Sequence, residues 1–224
     1  MAIALVQQAQ GSQGTGTSLA VTIAAPAAGN ALVVMCAQNS SAVSGISGGG
    51  VTWTLLNKSA FNFYSTEIWY GENSSGSGTT VTITLAGSTR CAATVTEWSG
   101  VKTSSAADAS VPDTSGTSTS ASPGAIDPSA NPALYLAVAS TQNSTFTSTV
   151  GGGFTQLTDP TPGGGALSVE GAYLIDNSGH ASATPTFGIL ASAAWEAAGG
   201  ALQGTVGGGS AKRDAMGMSG FFGI

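Results

Sequence analysis

Hydrophobic and polar residues alternate along much of this chain with the two-residue period of β-strands. In segment 79–85, Val81, Ile83 and Leu85 point to one side and threonines to the other, which predicts a half-buried strand. Ala31–Ala37 is apolar throughout, as expected for a strand buried on both faces. Further segments of these kinds lie at 67–70, 91–98 and 134–139. Clusters of Gly, Ser, Asn and Pro between them predict turns.

No segment combines a helical period with capping residues. Ala191–Ala198 is rich in alanine and comes nearest, but Trp195 and the place of this segment in the repeat described next favour a strand. The pattern therefore predicts an all-β protein.

Two halves of the chain repeat the same order of landmarks. Gly50 ends a glycine triplet 20 residues before Tyr70, and Gly153 ends another 20 residues before Tyr173. In each half an apolar strand comes before the triplet, and a tryptophan beside a glutamate follows the tyrosine. Landmarks that recur in one order indicate a duplicated unit. The two diverged half-repeats are predicted at about 1–101 and 129–203.

The connection Lys102–Pro132 is rich in Ser, Thr, Ala and Pro, which is compatible with a linker between two domains. Each half, however, offers only four or five short strands, and two four-stranded halves make the eight strands of a jelly roll with one shared core. We therefore predict a single jelly-roll-like antiparallel β-sandwich over residues 1–203, with part of the connection adding an edge strand. Residues 204–224 are predicted to form a Gly-rich spacer and a flexible, apolar C-terminal arm.

The charge content narrows the classes of partner. Charged residues make up 7% of the chain against about 25% in an average globular protein. The apolar fraction of 42% argues against disorder, and the formal net charge of −6 argues against binding to nucleic acids or anionic membranes. The first residues lack the basic and apolar regions of a secretory signal, so the product is expected to fold in a cytoplasm.

The two cysteines, Cys36 and Cys91, each lie in an apolar strand. They are expected to be reduced, buried and hydrophobic in character, and a disulfide stays open if their strands are neighbours. There is a single histidine and no close Cys or His spacing, so neither a metal site nor a cofactor is predicted.

Candidate catalytic groups are few. Glu97 and Glu196 lie beside tryptophans in the two halves, and paired carboxylates are typical of glycoside hydrolysis. The duplication explains their recurrence without chemistry, because by alternation the tryptophans pack and the glutamates face outward. His180 lacks the setting of a catalytic triad. Asp159–Pro162 and Asp176–Asn177 lack the ligand density of a calcium loop. No enzymatic activity is predicted.

Two groups of side chains are candidates for binding. Trp53, Phe61, Tyr64 and Trp69 could form an exposed aromatic face for a glycan, although packing in a core or interface is the commoner role of such rings. The C-terminal arm is either a frayed tail or an assembly contact. Its adjacent phenylalanines would be a liability if exposed on a free monomer, which favours the assembly contact. The predicted contact residues of the arm are Met216, Met218, Phe221, Phe222 and Ile224.

The segments Gly29–Val34, Val51–Thr54, Ile68–Tyr70, Gly78–Ile83 and Glu97–Gly100 together carry a family resemblance. The chain resembles a jelly-roll β-sandwich module found in tailed-phage virion proteins and bacterial surface proteins. The resemblance implies a non-enzymatic bacteriophage structural protein located in the virion, either a capsid decoration protein or a minor tail protein. It implies contacts with the major capsid protein or other virion proteins, and a homo-oligomer such as a trimer. The alternative is a glycan- or receptor-binding module on a tail or surface.

Overall fold

The computed structural model describes residues 1–39, 41–61, 64–158, 167–178 and 181–205. Within these residues the protein consists of β-strands and turns, without a helix, which confirms the predicted all-β class. No helix of the length and hydrophobicity needed to cross a membrane is therefore found in this part of the chain. The strands form two antiparallel sheets that pack face to face.

The first sheet contains the strands of the first half of the chain. They are β1 (Ala4–Thr22), β2 (Ala31–Asn39), β3 (Val43–Gly48), β4 (Thr54–Phe61), β5 (Tyr64–Gly71) and β6 (Thr80–Ser99). Their order is β1-β6-β2-β5-β4, and β3 also pairs with β6.

The second sheet contains the remaining strands. They are β7 (Ala107–Ser110), β8 (Thr114–Ala121), β9 (Ala133–Gln142), β10 (Phe146–Val150), β11 (Thr155–Gln156), β12 (Leu167–Asp176) and β13 (Phe187–Gln203). Their order is β10-β13-β9-β12-β11, and both β7 and β8 also pair with β13. The connection between the halves thus adds strands at an edge, as predicted, and the alanine-rich segment forms part of β13.

The two sheets share one pattern of connections. In the first, β6 pairs with β1, β2 and β3, and β2 leads through β5 to β4. In the second, β13 pairs with β8, β9 and β10, and β9 leads through β12 to β11. Six strands of each half therefore correspond in chain order and in pairing, and β7 alone has no counterpart among the described strands.

The longest strands bend, so each belongs to two layers. Residues 4–13 of β1 pair with the second half of β6, whereas residues 18–22 pair with its first half, and the register shifts between Gln13 and Ser18. The bend folds one end of both strands, together with β3, over the outer face of the first sheet. β13 shows a comparable register shift between Gly188 and Ala193, and its first residues cover the outer face of the second sheet with β10.

Three buried clusters result from this bending. The central core lies between the two sheets. The first outer core fills the space under the bent ends of β1 and β6 and includes Val21, Val34 and Ile83. The second outer core includes Tyr135 and Phe187. The two halves share the central core, as predicted, but the described residues form thirteen strands rather than eight. The two outer clusters were not predicted; they form because the bent strands bury the outer faces as well.

The central core joins the two halves of the chain. Its members from both halves include Val33, Met35, Ile68, Trp98, Leu134, Leu136, Val138 and Leu202. Trp98 of the first sheet meets Tyr173 of the second edge to face, with ring centroids 4.9 Å apart. The hydroxyls of Thr66 and Ser140 form a buried hydrogen bond of 2.6 Å across the same interface. Apolar burial and satisfied polar groups thus hold the sheets together.

Substitutions of two glycines in β3 test the backbone of the turn that follows it. Gly48 has φ +90°, and a Cβ there would overlap the carbonyl oxygen of Thr80. Gly48→Ala is expected to lower the free energy of unfolding by about 2 kcal/mol or more. Gly45→Ala is the matched control, because a Cβ there meets nothing within 4 Å, and a change within about 0.5 kcal/mol is expected. Equal effects in urea denaturation would contradict this account of the turn.

Candidate functional site

The two glutamates that the sequence pairs lie in different environments. Glu97 is on the outer side of the first sheet, because its neighbour Trp98 packs in the central core. Glu196 is on the central side of the second sheet, two residues before Ala198 of the central core, while Trp195 packs against the outer core. The predicted equivalence of the two glutamates was therefore wrong. The prediction that they face outward was wrong for Glu196, which is on the central side. Glu97 does lie on the outer side of its sheet, but both glutamates are buried, with exposed fractions of 1% for Glu97 and 2% for Glu196.

Glu97 is buried by the loop that follows β1. One carboxylate oxygen, Oε1, accepts hydrogen bonds from the Ala27 backbone N–H at 2.8 Å and from Asn30 Nδ2 at 2.6 Å. The other accepts one from Gln7 Nε2. Gln7 in turn accepts a hydrogen bond from the Ala24 backbone N–H at 2.9 Å. This carboxylate therefore fastens the loop to the sheet, which is a structural role.

Glu67 is the centre of a buried polar cluster on the outer side of the first sheet. Its Oε1 accepts hydrogen bonds from Gln38 Nε2 at 2.8 Å and Ser65 Oγ at 2.9 Å, and its Oε2 accepts one from Trp69 Nε1 at 2.7 Å. The Lys58 ammonium nitrogen lies 3.3 Å from Oε1. A buried carboxylate that is both paired and hydrogen-bonded is tolerated. The cluster ties β2, β4 and β5 together.

A second buried glutamate stands in the corresponding place of the second sheet. Glu170 precedes Tyr173 by three residues, as Glu67 precedes Tyr70, and the exposed fractions of the two glutamates are 0% and 1%. Glu67 and Glu170 were not identified as a pair from the sequence, because the glutamates paired there lie directly beside a tryptophan. The spacing Glu-x-x-Tyr in each half is the signal that identifies them.

The two cysteines lie on neighbouring strands and are not bonded to each other. Cys36 of β2 pairs with Ala93 of β6, and Cys91 of β6 pairs with Gln38 of β2, so the thiols are two residues out of register. Both are buried in the first outer core and free, as predicted. Burial, reinforced by the nearby Glu67 carboxylate, raises the pKa of the Cys91 thiol to about 12 and that of Cys36 well above its usual value. Thiols of this kind are unreactive at neutral pH.

The aromatic residues proposed as a binding face do not share one surface. Trp53 is half-buried against the first outer core and donates a 3.0 Å hydrogen bond to the Gly48 carbonyl. Trp69 packs against the same core. Tyr64 lies on the opposite face of β5, where it packs against the central core. The side chain of Phe61 lies outside the described part of the chain.

Other sequence candidates are found away from any common site. Asp176 accepts hydrogen bonds from Ser178, and Asn177 Oδ1 accepts one from the Ile3 backbone N–H at 3.3 Å. In the described part of the chain no cluster of three or more His, Cys, Asp or Glu side chains could hold a metal ion. Seven of the sequence candidates lie outside the described ranges: His180, segment Asp159–Pro162, Met216, Met218, Phe221, Phe222 and Ile224.

One end of the molecule carries an apolar surface, which we call the terminal face; it consists of residues 1–6, 24–29 and 204–205. Thr205 donates its backbone N–H to the Gly100 carbonyl at 2.7 Å, and its hydroxyl lies 3.4 Å from the Met1 carbonyl. Met1 and Val6 are 77% and 51% exposed, and the alanines of the loop 24–28 are exposed too. Residues 1–57 contain no charged side chain. The terminal face is therefore apolar and has no charged side chain of its own. The Met1 ammonium, which donates to the Thr205 hydroxyl at 3.4 Å, and Lys102, which is hydrogen-bonded to Gln203, lie beside it.

A polar depression of about 640 Å³ lies beside the loop 24–29 of the terminal face, and most of its lining comes from the first half of the chain. Its lining residues are Gly48, Gly50, Val51, Thr52, Thr54, Tyr70, Glu72, Asn73, Ser75 and Thr103. The two oxygens of the Glu72 carboxylate accept hydrogen bonds from the Ser105 and Ala106 backbone N–H groups at 2.9 and 2.8 Å. Tyr70 lies opposite Thr54 on the neighbouring strand. The depression thus presents hydroxyl groups around one anchored carboxylate.

Comparison with known proteins adds no relative. No protein-family model, no curated protein and no solved structure matches this chain. What the protein does is therefore inferred from its residues and their geometry.

The buried thiols predict a loss of stability at high pH. Above about pH 9 the unfolded chain releases the thiol protons, whereas native Cys91 keeps its proton until about pH 12. The native state then binds more protons, so the free energy of unfolding falls with rising pH by up to about 1.4 kcal/mol per pH unit for each thiol. Urea denaturation under reducing conditions, from neutral pH to pH 11, measures this slope.

The matched variant is the double substitution Cys36→Ala and Cys91→Ala. Its tyrosines still titrate, so the difference in slope between the two proteins isolates the thiols. A slope that is the same in both proteins would show that the buried thiols do not cause the loss.

Proposed function

We propose that this protein is a non-enzymatic structural protein of a bacteriophage virion, a capsid decoration or accessory protein that binds the viral shell as an oligomer. The observation that carries the proposal is the terminal face. There an exposed apolar surface without charged side chains includes Thr205, the residue that precedes segment 206–224. The family resemblance of the sequence agrees with it.

The composition of the terminal face suits a protein contact. Exposed apolar patches on soluble proteins commonly mark interaction sites, and charged residues are depleted at the centres of protein interfaces. Met1, Val6 and the alanines of residues 24–28 provide such a patch. Because there is little charge to desolvate, association through this face loses little hydration energy.

The buried carboxylates of Glu67 and Glu97 support a structural role more than a catalytic one. Their oxygens accept hydrogen bonds that hold strands and loops in place. A general acid or base needs contact with a substrate in a cleft. Neither of these groups lines the polar depression.

The C-terminal arm extends the same contact. Segment 206–224 follows Thr205 directly, so the predicted contact residues Met216, Met218, Phe221, Phe222 and Ile224 are tethered to the terminal face. Two weak contacts on one tether reinforce each other, because binding of one raises the effective concentration of the other. The apolar face and the arm together then form a two-part anchor.

Binding to particles tests the proposal directly. In density gradients of the phage that encodes it, the protein is expected to band with the particles. Purified protein is expected to rebind particles from which it has been stripped. Deleting Ser210–Ile224, or changing Val6→Lys in the terminal face, is expected to weaken rebinding at least about tenfold, equivalent to 1.4 kcal/mol.

Leu190→Lys provides the control, because Leu190 is an exposed apolar side chain in the second half and lies outside the terminal face. This variant is expected to rebind normally. Protein found only in the soluble fraction, or undiminished binding by both the deletion and the Val6 variant, would overturn the proposal. Light scattering of the purified protein checks the expected oligomer, and a strict monomer would contradict that part of it.

A further inference from the structure

We infer that the polar depression is a binding site for a neutral saccharide. The inference goes beyond the role in the virion and does not depend on it, since the depression is lined by residues other than those that form the terminal face. It also concerns residues different from the aromatic side chains that the sequence suggested for a glycan.

The groups that line the depression select the class of ligand. The hydroxyls come from Thr52, Thr54, Tyr70, Ser75 and Thr103, and the remaining polar side chains are Glu72 and Asn73. These groups both donate and accept hydrogen bonds, as the many hydroxyls of a sugar require. Ligand sites of this size fix their ligands through a few well-placed polar groups.

The same lining disfavours other classes of ligand. Among the described residues that line the depression there is no Lys, Arg or His to attract a phosphate, sulfate or carboxylate. The single carboxylate of Glu72 and the net charge of −6 repel anions further. One carboxylate is also too few for a calcium site, which gathers six to eight oxygen ligands. The lining is mainly polar, so an apolar ligand would leave its hydrogen-bonding groups without partners.

The lining is held in place before any ligand binds. Two backbone N–H groups fix the Glu72 carboxylate. The Ser75 backbone N–H donates to the Gly50 carbonyl at 2.9 Å, which joins the two loops on either side of the depression. Asn73 has φ 57° and Gly50 has φ 68°, left-handed conformations that shape these loops. A prearranged site spends less binding free energy on ordering its own groups.

The second half of the chain shows that the fold does not require these groups. Three residues, Val51–Trp53, separate Gly50 from Thr54, which is paired with Tyr70. In the second half the buried Phe154 alone separates Gly153 from Thr155, which is paired with Tyr173. Two residues after the tyrosine, Ile175 stands where the first half has Glu72. The longer loop and the carboxylate are therefore particular to the first half, as expected of a binding site added to a shared framework.

Glycan arrays and NMR titration of the full chain test the inference. A neutral mono- or disaccharide is expected to bind with a Kd on the order of 1 mM, in the range of single-site sugar contacts. In titration it is expected to shift the backbone amide signals of Gly50, Asn73 and Ser75. Each of the variants Thr54→Val and Thr103→Val is expected to weaken binding at least about tenfold.

Thr155→Val is the matched control, because Thr155 is an exposed threonine opposite Tyr173, just as Thr54 is opposite Tyr70. It is expected to bind like the unchanged protein. Thr103→Val keeps the test valid if Thr54→Val disturbs the fold through its pairing with Tyr70. The inference is overturned if no neutral saccharide shifts these amides, if only anionic saccharides bind, or if the threonine variants bind normally.

Discussion

The packing of the two sheets across the central core is the constraint on which the rest of the structure depends. Strands β2 and β9 are buried on both faces because each lies between the central core and an outer core. The bent ends of β1, β6 and β13 complete the outer cores only while these two inner strands stay in place. The side chains of Glu67, Cys36 and Cys91 are buried on the outer side of the first sheet, so their environment depends on the same packing.

The alternation of side chains predicts the strands well, because the order of polar and apolar residues shows whether one face or both faces of a strand are buried. Ala31–Ala37 and 134–139 are apolar on both faces and form the inner strands. Bending is not predicted by alternation: residues 10–18, which include the register shift between Gln13 and Ser18, are Gln, Gly, Ser and Thr and carry no apolar side chain. The core shared by both halves was therefore expected, but the two outer clusters were not. The error over Glu97 and Glu196 has the same kind of cause, since a shift of one position moves a strand residue to the opposite face.

The matched connections of the two sheets support the duplication inferred from the landmarks. On that view the common framework supplies the central core and the buried Glu-x-x-Tyr positions, Glu67 and Glu170. What differs between the halves is then where function is expected: the polar depression with Glu72, and the terminal face that precedes the arm. The sequence indicates the arm through its composition. It does not indicate the depression, because Gly50, Glu72 and Thr103 come together only through loop packing.

Native-state hydrogen exchange in a central-core variant tests most directly whether the two halves form one cooperative unit. Leu136→Ala removes a fully buried side chain of the second sheet that faces the first, and should cost about 2–5 kcal/mol. If the central core couples the sheets, the free energies of exchange of the β2 and β9 amides fall by the same amount. Loss of protection in β9, with β2 unchanged, would contradict the account and show two halves that unfold independently.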